Sequence, residues 1–165
     1  MKPALLVIDV QKEFFKANAQ TVQSLNNAIE YINAGIALFR EKGLPILCVQ
    51  HMDEADKLVP GAQGFDLPEE LQILPSDGHI HKTYGNAFNK TELLRKLKEL
   101  DVDTVVISGY CAEFCVLATY RGAEDVDLMP MLLRCGLASG SPENIKFVEN
   151  ISDIISYGAL RKVLG

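Results

Sequence analysis

The strongest constraint on the fold is a repeated switch between short, wholly apolar runs and longer stretches with helical spacing. Ala4 to Asp9, Ile46 to Gln50 and Thr104 to Ser108 are rich in β-branched residues and lack the polar alternation of a half-exposed strand. Strands of this kind are covered on both faces, as in a parallel sheet. Between the first two runs, Val22, Leu25, Ile29, Ile32, Ile36 and Phe39 recur at spacings of three and four, and Gly43 and Pro45 end the pattern. Further along, His79 to Lys82, Val126 to Leu133 and Ile151 to Ser156 read as a third, a fifth and a sixth strand. Asn89 and Glu92 have the spacing of a capping box ahead of a helix face formed by Leu93, Leu94, Leu97 and Leu100. A helix is expected from Ala112 to about Ala123, another behind Ser141 and Pro142, and a short one at the end of the chain. The segment from His51 to Gly78, with Pro60, Gly61, Gly64, Pro68 and Pro75, reads as a long loop with a turn near Pro68 to Leu71. So long an excursion usually carries function. The pattern predicts an α/β protein with a three-layer α/β/α, Rossmann-like architecture. About six parallel strands carry helices on both faces, in a single domain over residues 1–165.

Composition narrows the function classes. At 165 residues, with 48% hydrophobic and 23% charged residues, the chain suits one compact unit with a full core. A formal net charge of −6 argues against nucleic acid or an anionic membrane as partner. No run approaches the roughly 18–20 apolar residues of a membrane span. Met1-Lys2-Pro3 leads directly into a strand pattern, so no signal peptide is expected. The four cysteines have no Cys-x-x-Cys spacing and do not form a secreted disulfide framework, which points to a reduced, cytoplasmic protein.

In parallel sheets ligands bind beyond the carboxyl ends of the strands. Asp9 closes the first strand, Lys82 the third, and Cys115 follows the fourth, so an acid, a base and a thiol share one rim. A thiol at the start of a helix faces backbone N–H groups that favour the thiolate. That predicts a pKa below the roughly 8.5 of a free cysteine. Phe14 and Tyr110 adjoin these residues and read as pocket wall. Cys111, about one helical turn before Cys115, reads as a pocket residue or a resolving thiol. Cys48 and Cys135 read as small buried apolar groups.

The same positions carry a family resemblance. The segment Asp9-Val-Gln11-Lys-Glu-Phe14 resembles the Asp-x-Gln-x-x-Phe opening of isochorismatase-like cysteine hydrolases. Lys82-Thr-Tyr-Gly-Asn86-Ala87-Phe88 resembles their lysine segment, and Gly109 to Val116 their nucleophile loop. The resemblance implies an Asp9–Lys82–Cys115 triad that cleaves a small amide or related C–N bond through a thioester. It also implies a homo-oligomer that needs no cofactor and acts on a small-molecule substrate. In this family a cis peptide precedes the nucleophile and aims backbone N–H groups at the oxyanion, here near Tyr110, Cys111 and Ala112. Cys111 and Ala112 thereby join Phe14 and Tyr110 as substrate-binding candidates. Members that hydrolyse nicotinamide carry an Asp-x-His metal motif; His51-Met-Asp53 has the reverse order, and no metal is expected. Ala112 stands where the family commonly has threonine, and Arg134-Cys135-Gly136 where it commonly has an acid. These departures suggest an altered ligand at the rim. A redox-sensing or catalytically silent member, or a vinyl-ether hydrolase of the isochorismatase type, is the alternative reading.

Overall fold

A computed structural model describes residues 1–165. Six parallel strands form one sheet: β1 (Pro3–Ile8), β2 (Ile46–His51), β3 (Gly78–Lys82), β4 (Thr104–Tyr110), β5 (Met129–Ala138) and β6 (Ile154–Ile155). Their spatial order is β3-β2-β1-β4-β5-β6, so the order reverses between β1 and β4. Every residue of β1 is buried, because both of its faces are covered. Ala4, Leu6 and Ile8 point into one apolar cluster, while Leu5 and Val7 point into the other, the two-residue alternation of a strand.

Helices α1 (Ala19–Glu41) and α5 (Tyr157–Leu164) cover the face of Leu5 and Val7, through Leu25, Ile32, Ile36, Phe39 and Leu160. Helices α2 (Leu93–Glu99), α3 (Leu117–Asp125) and α4 (Pro142–Asn150) cover the other, through Leu93, Leu97, Tyr120, Ala123 and Val148. The expected three layers are therefore present. α1 begins at Asn18, whose side chain accepts from the Thr21 N–H. Proline opens α4 directly after Ser141, as expected.

Several expectations need correction. The Asn89–Glu92 capping box does not form, because Asn86 to Lys90 makes a turn of its own: the Asn89 N–H bonds the Asn86 carbonyl, and Lys90 takes a φ of 54°. The Thr91 hydroxyl instead accepts from the Leu93 N–H at 3.2 Å. The fifth strand runs beyond Leu133 to Ala138, and Arg134-Cys135-Gly136 lies within it rather than after it. From Ile107 to Gly109, β4 advances two residues while β5 advances from Leu132 to Leu137, so these three residues bulge out. Cys135 takes a φ of 66° in this bulge and is exposed, not buried. The sixth strand contracts to Ile154–Ile155. The helix after β4 starts as one π-helical turn, Ala112–Val116, before α3 takes over at Leu117.

Candidate active site

Three strand ends and one turn converge where the strand order reverses. Asp9 is the first residue past β1. It takes a φ of 51° and is held by its N–H on the Val49 carbonyl at 2.9 Å. Gly109, paired in register with Ile8, has a φ of 116°, and a Cβ there would overlap the Ile8 backbone. This close approach of β1 and β4 brings Asp9 next to the turn that carries Cys115. The peptide bond between Tyr110 and Cys111 is cis. The π-turn that follows is closed by the Val116 N–H on the Cys111 carbonyl at 3.2 Å, and Cys115 projects from it half-buried.

Lys82, the last residue of β3, joins these parts. Its side chain is fully buried. The ammonium lies 2.8 Å from Asp9 Oδ2, 3.4 Å from Cys115 Sγ and 3.1 Å from His51 Nδ1. Asp9 Oδ1 is buried and accepts no hydrogen bond from the chain. Ligating atoms of Asp9, His51 and Cys115 lie within 4.8 Å of one another. A cation at these three would have to coexist with the Lys82 charge already hydrogen-bonded to each of them, so this donor set fits a metal poorly.

The electrostatics reverse the expected thiol acidity. Burial first, and then the Asp9 charge, push Cys115 up to about 11, against the opposing pull of Lys82. Burial likewise raises Asp9 above the usual carboxylate range, and Lys82 draws it back. Cys115 lies one turn ahead of α3, and desolvation outweighs the N–H groups around it. At neutral pH Cys115 therefore rests as a thiol rather than a preformed thiolate.

The remaining candidates divide. Phe14, on the 3₁₀ turn Lys12–Lys16, packs on Tyr110 with ring centroids 4.8 Å apart, and both are half-buried beside the site. Ala112 is fully buried in the cluster beneath α3. The Cys111 thiol donates to Glu113 Oε2 at 3.1 Å, and burial first, then Glu113, raise it to about 12. Arg134 does not reach the triad. It lines a groove of about 790 Å³ between α1, β5 and α4 whose walls include none of Asp9, Lys82 and Cys115.

Several long-range contributors escape the sequence pattern. Glu113 accepts from Cys111, from the Ser139 hydroxyl at 3.0 Å and from Asn144 Nδ2 at 2.7 Å, tying the Cys111–Val116 turn to the residue after β5 and to α4. Gln11 brackets the His51 backbone, accepting from its N–H at 2.7 Å and donating to its carbonyl at 3.0 Å. It also donates to the Phe65 carbonyl, as does Gln50, which pins the long loop against the rim. Farther along, Asn33 bonds Glu70 and Gln72, and Arg40 pairs with Asp77 at 2.8 Å. A glutamine two positions past the acid was visible in the sequence, but its partners lie 40 and 54 residues away.

Residues 3–150 match the profile of the isochorismatase domain. The chain is 32% identical over 126 residues to the uncharacterized isochorismatase family protein YddQ of Bacillus subtilis, covering 74% of this chain and 70% of that protein. It is 26% identical over 135 residues to nicotinamidase 3 of Arabidopsis thaliana, covering 73% of this chain and 65% of that protein. Among solved structures, an isochorismatase-like hydrolase from Alkaliphilus metalliredigens superposes with a TM-score of 0.90 at 22% identity, over the whole of both chains.

Proposed function

The chain belongs to the isochorismatase family, and on that premise we propose that it is a cysteine hydrolase of small amides and related C–N bonds, with Cys115 as nucleophile. One observation carries the reading: the buried Lys82 ammonium bonds both Asp9 Oδ2 and Cys115 Sγ, while Asp9 Oδ1 accepts no hydrogen bond from the chain and stays open to a proton.

The chemistry follows from the resting thiol. As Sγ bonds to the carbonyl carbon, the thiol proton passes to Asp9, and the carbonyl becomes an oxyanion beside the backbone N–H groups of the nucleophile turn. Each such donor contributes roughly 3 kcal/mol of transition-state stabilisation. Asp9 then gives its proton to the departing nitrogen, the C–N bond breaks, and the acyl group remains on Sγ as a thioester. Water attacks that carbon while Asp9 takes one of its protons; the C–S bond then breaks, Asp9 returns that proton to Sγ, and the thiol, the Asp9 carboxylate and a carboxylic acid result. Lys82 keeps its proton throughout. Its bonds hold Asp9 oriented and stabilise sulfur as charge develops on it. The aromatic pair Phe14–Tyr110, its rings tilted by 36°, offers an apolar wall for an acyl group. Nicotinamidase 3 is named for such an amide, which supports the substrate class without fixing the substrate.

The test is ammonia or amine release from a panel of aromatic and aliphatic primary amides and N-carbamoyl compounds, with Cys115→Ala as control. Turnover of at least one class, lost in Cys115→Ala, is the expected result. Turnover that survives Cys115→Ala would overturn the reading.

A further inference from the structure

The Lys82 ammonium has three hydrogens and no water to share them with, since its side chain is fully buried. Asp9 Oδ2 takes one and Cys115 Sγ another. The third goes to His51 Nδ1 at 3.1 Å. An ammonium only donates, so Nδ1 must be the accepting nitrogen and the ring proton must sit on Nε2. We infer that His51 is a positioning residue for Lys82: by accepting its third N–H it fixes the ammonium so that the other two point at the acid and the thiol.

The arrangement is built in at three levels. His51 and Lys82 are register partners at the carboxyl ends of neighbouring parallel strands, so their side chains leave the sheet on the same face. The His51 backbone is clamped from both sides by Gln11, and the Met52 N–H bonds the Lys82 carbonyl at 2.7 Å, which fixes where both side chains start. The ring is held in its accepting form. Burial, and then the Lys82 charge, keep its pKa below the ordinary histidine value, against Asp9 and Asp53, which pull it upward. A protonated ring would bring a second positive charge to Lys82 and lose the acceptor. A primary amine with one of its three donors unanswered in a dry site would turn toward another oxygen, and the contact with sulfur would loosen.

The role in turnover rests on the hydrolase reading above; the contact does not, and the test separates them. The chain has only His51, His79 and His81, so nitrogen NMR of the labelled parent protein at pH 7.5, assigned by loss of one ring in His51→Asn, reads the tautomer directly. A neutral His51 with its proton on Nε2 is expected. A proton on Nδ1, or a charged ring, overturns the inference without reference to any substrate.

Iodoacetamide alkylation of Cys115 at pH 9 then reads the consequence. His51→Leu removes the acceptor and is expected to slow alkylation at least fivefold. His51→Asn, whose side-chain oxygen sits where Nδ1 does, is expected to stay within twofold of the parent. His51→Gln, which reaches the Nε2 position instead, is expected to behave like His51→Leu. Equal rates in all four proteins, or an Asn variant as slow as the Leu variant, overturn the inference. Should His51→Leu not fold, the NMR result on the parent decides. Where an amide substrate is found, the same series is expected to lower kcat and leave KM within about twofold. A purely structural role would not give rescue by Asn and failure with Gln.

Discussion

Asp9→Asn separates the two effects that the carboxylate exerts on Cys115. As a neighbouring charge Asp9 suppresses the thiolate; as the base of the proposed mechanism it would remove the thiol proton during attack. The charge effect follows from the geometry. At a separation within 4.8 Å and an effective dielectric constant of about 20, the interaction is roughly 3.5 kcal/mol, or about 2.5 pH units of midpoint. Removing it, with burial and the opposing Lys82 charge left to offset each other, brings Cys115 from about 11 to roughly 8.5. At pH 7.5 the thiolate fraction then rises about 300-fold. A less basic thiolate is also a poorer nucleophile. With a Brønsted slope of about 0.4–0.5 each thiolate reacts about 13-fold more slowly, and the net gain is about 20-fold. Alkylation of Cys115 by iodoacetamide, which needs no base, should therefore speed up about 20-fold in Asp9→Asn, while amide turnover falls by about 10²–10⁴. The assay is peptide-resolved mass spectrometry against time, with a thermal melt to verify folding. Cys48, buried and pushed up to about 12, serves as the unreactive internal reference. Slower alkylation in Asp9→Asn would refute the reasoning, because the acid would then be promoting the thiolate at rest.

Three further outcomes follow from the same contacts. Cys115→Ala should abolish turnover and leave substrate binding, read by calorimetry, within about threefold; turnover that persists would contradict the assignment. Lys82→Met strands the buried Asp9 carboxylate and should destabilise the fold by about 3–5 kcal/mol at pH 7.5. Without Lys82 to draw it back, burial raises Asp9 further, so the folded variant takes up a proton at a pH where the unfolded chain has released it and the deficit should shrink as pH falls; urea melts giving the same deficit at pH 7.5 and 5 would contradict this. Gly109→Ala meets the Ile8 backbone at a φ of 116° and should cost about 3 kcal/mol; a melt within about 0.5 kcal/mol of the parent would show that β1 and β4 tolerate separation.

The fold was legible wherever local pattern and burial coincide. β1 is apolar throughout and β2 and β4 are mostly so because both of their faces are covered, and α1 shows its stripe because only one of its faces is. β5 was read short because its bulge places Arg134, Cys135 and Gly136 between two apolar pairs, and a pattern reading stops at the first polar run. The capping box fails for the converse reason: the Asn89 backbone belongs to a turn with Asn86, and α2 starts only at Leu93, beyond the reach of the expected cap position. Of the candidate site, Asp9, Lys82 and Cys115 were visible from their places at strand ends. The acidity of Cys115 was not, since it depends on how deeply the turn is packed and how near the acid lies. His51 was weighed as a metal ligand, and its contact with Lys82 emerges only from the register of two strands 31 positions apart. Glu113 gives no signal because its partners Ser139 and Asn144 come from the residue after β5 and from α4.

The most direct test of the central claim is intact-protein mass spectrometry on enzyme quenched in acid within milliseconds of mixing with a turned-over amide, followed by peptide mapping. An acyl group on Cys115 that forms and decays at rates matching turnover, and is absent from Cys115→Ala, is the predicted result. Turnover with no acyl adduct at any time, or with the adduct on another residue, would contradict thioester chemistry at Cys115.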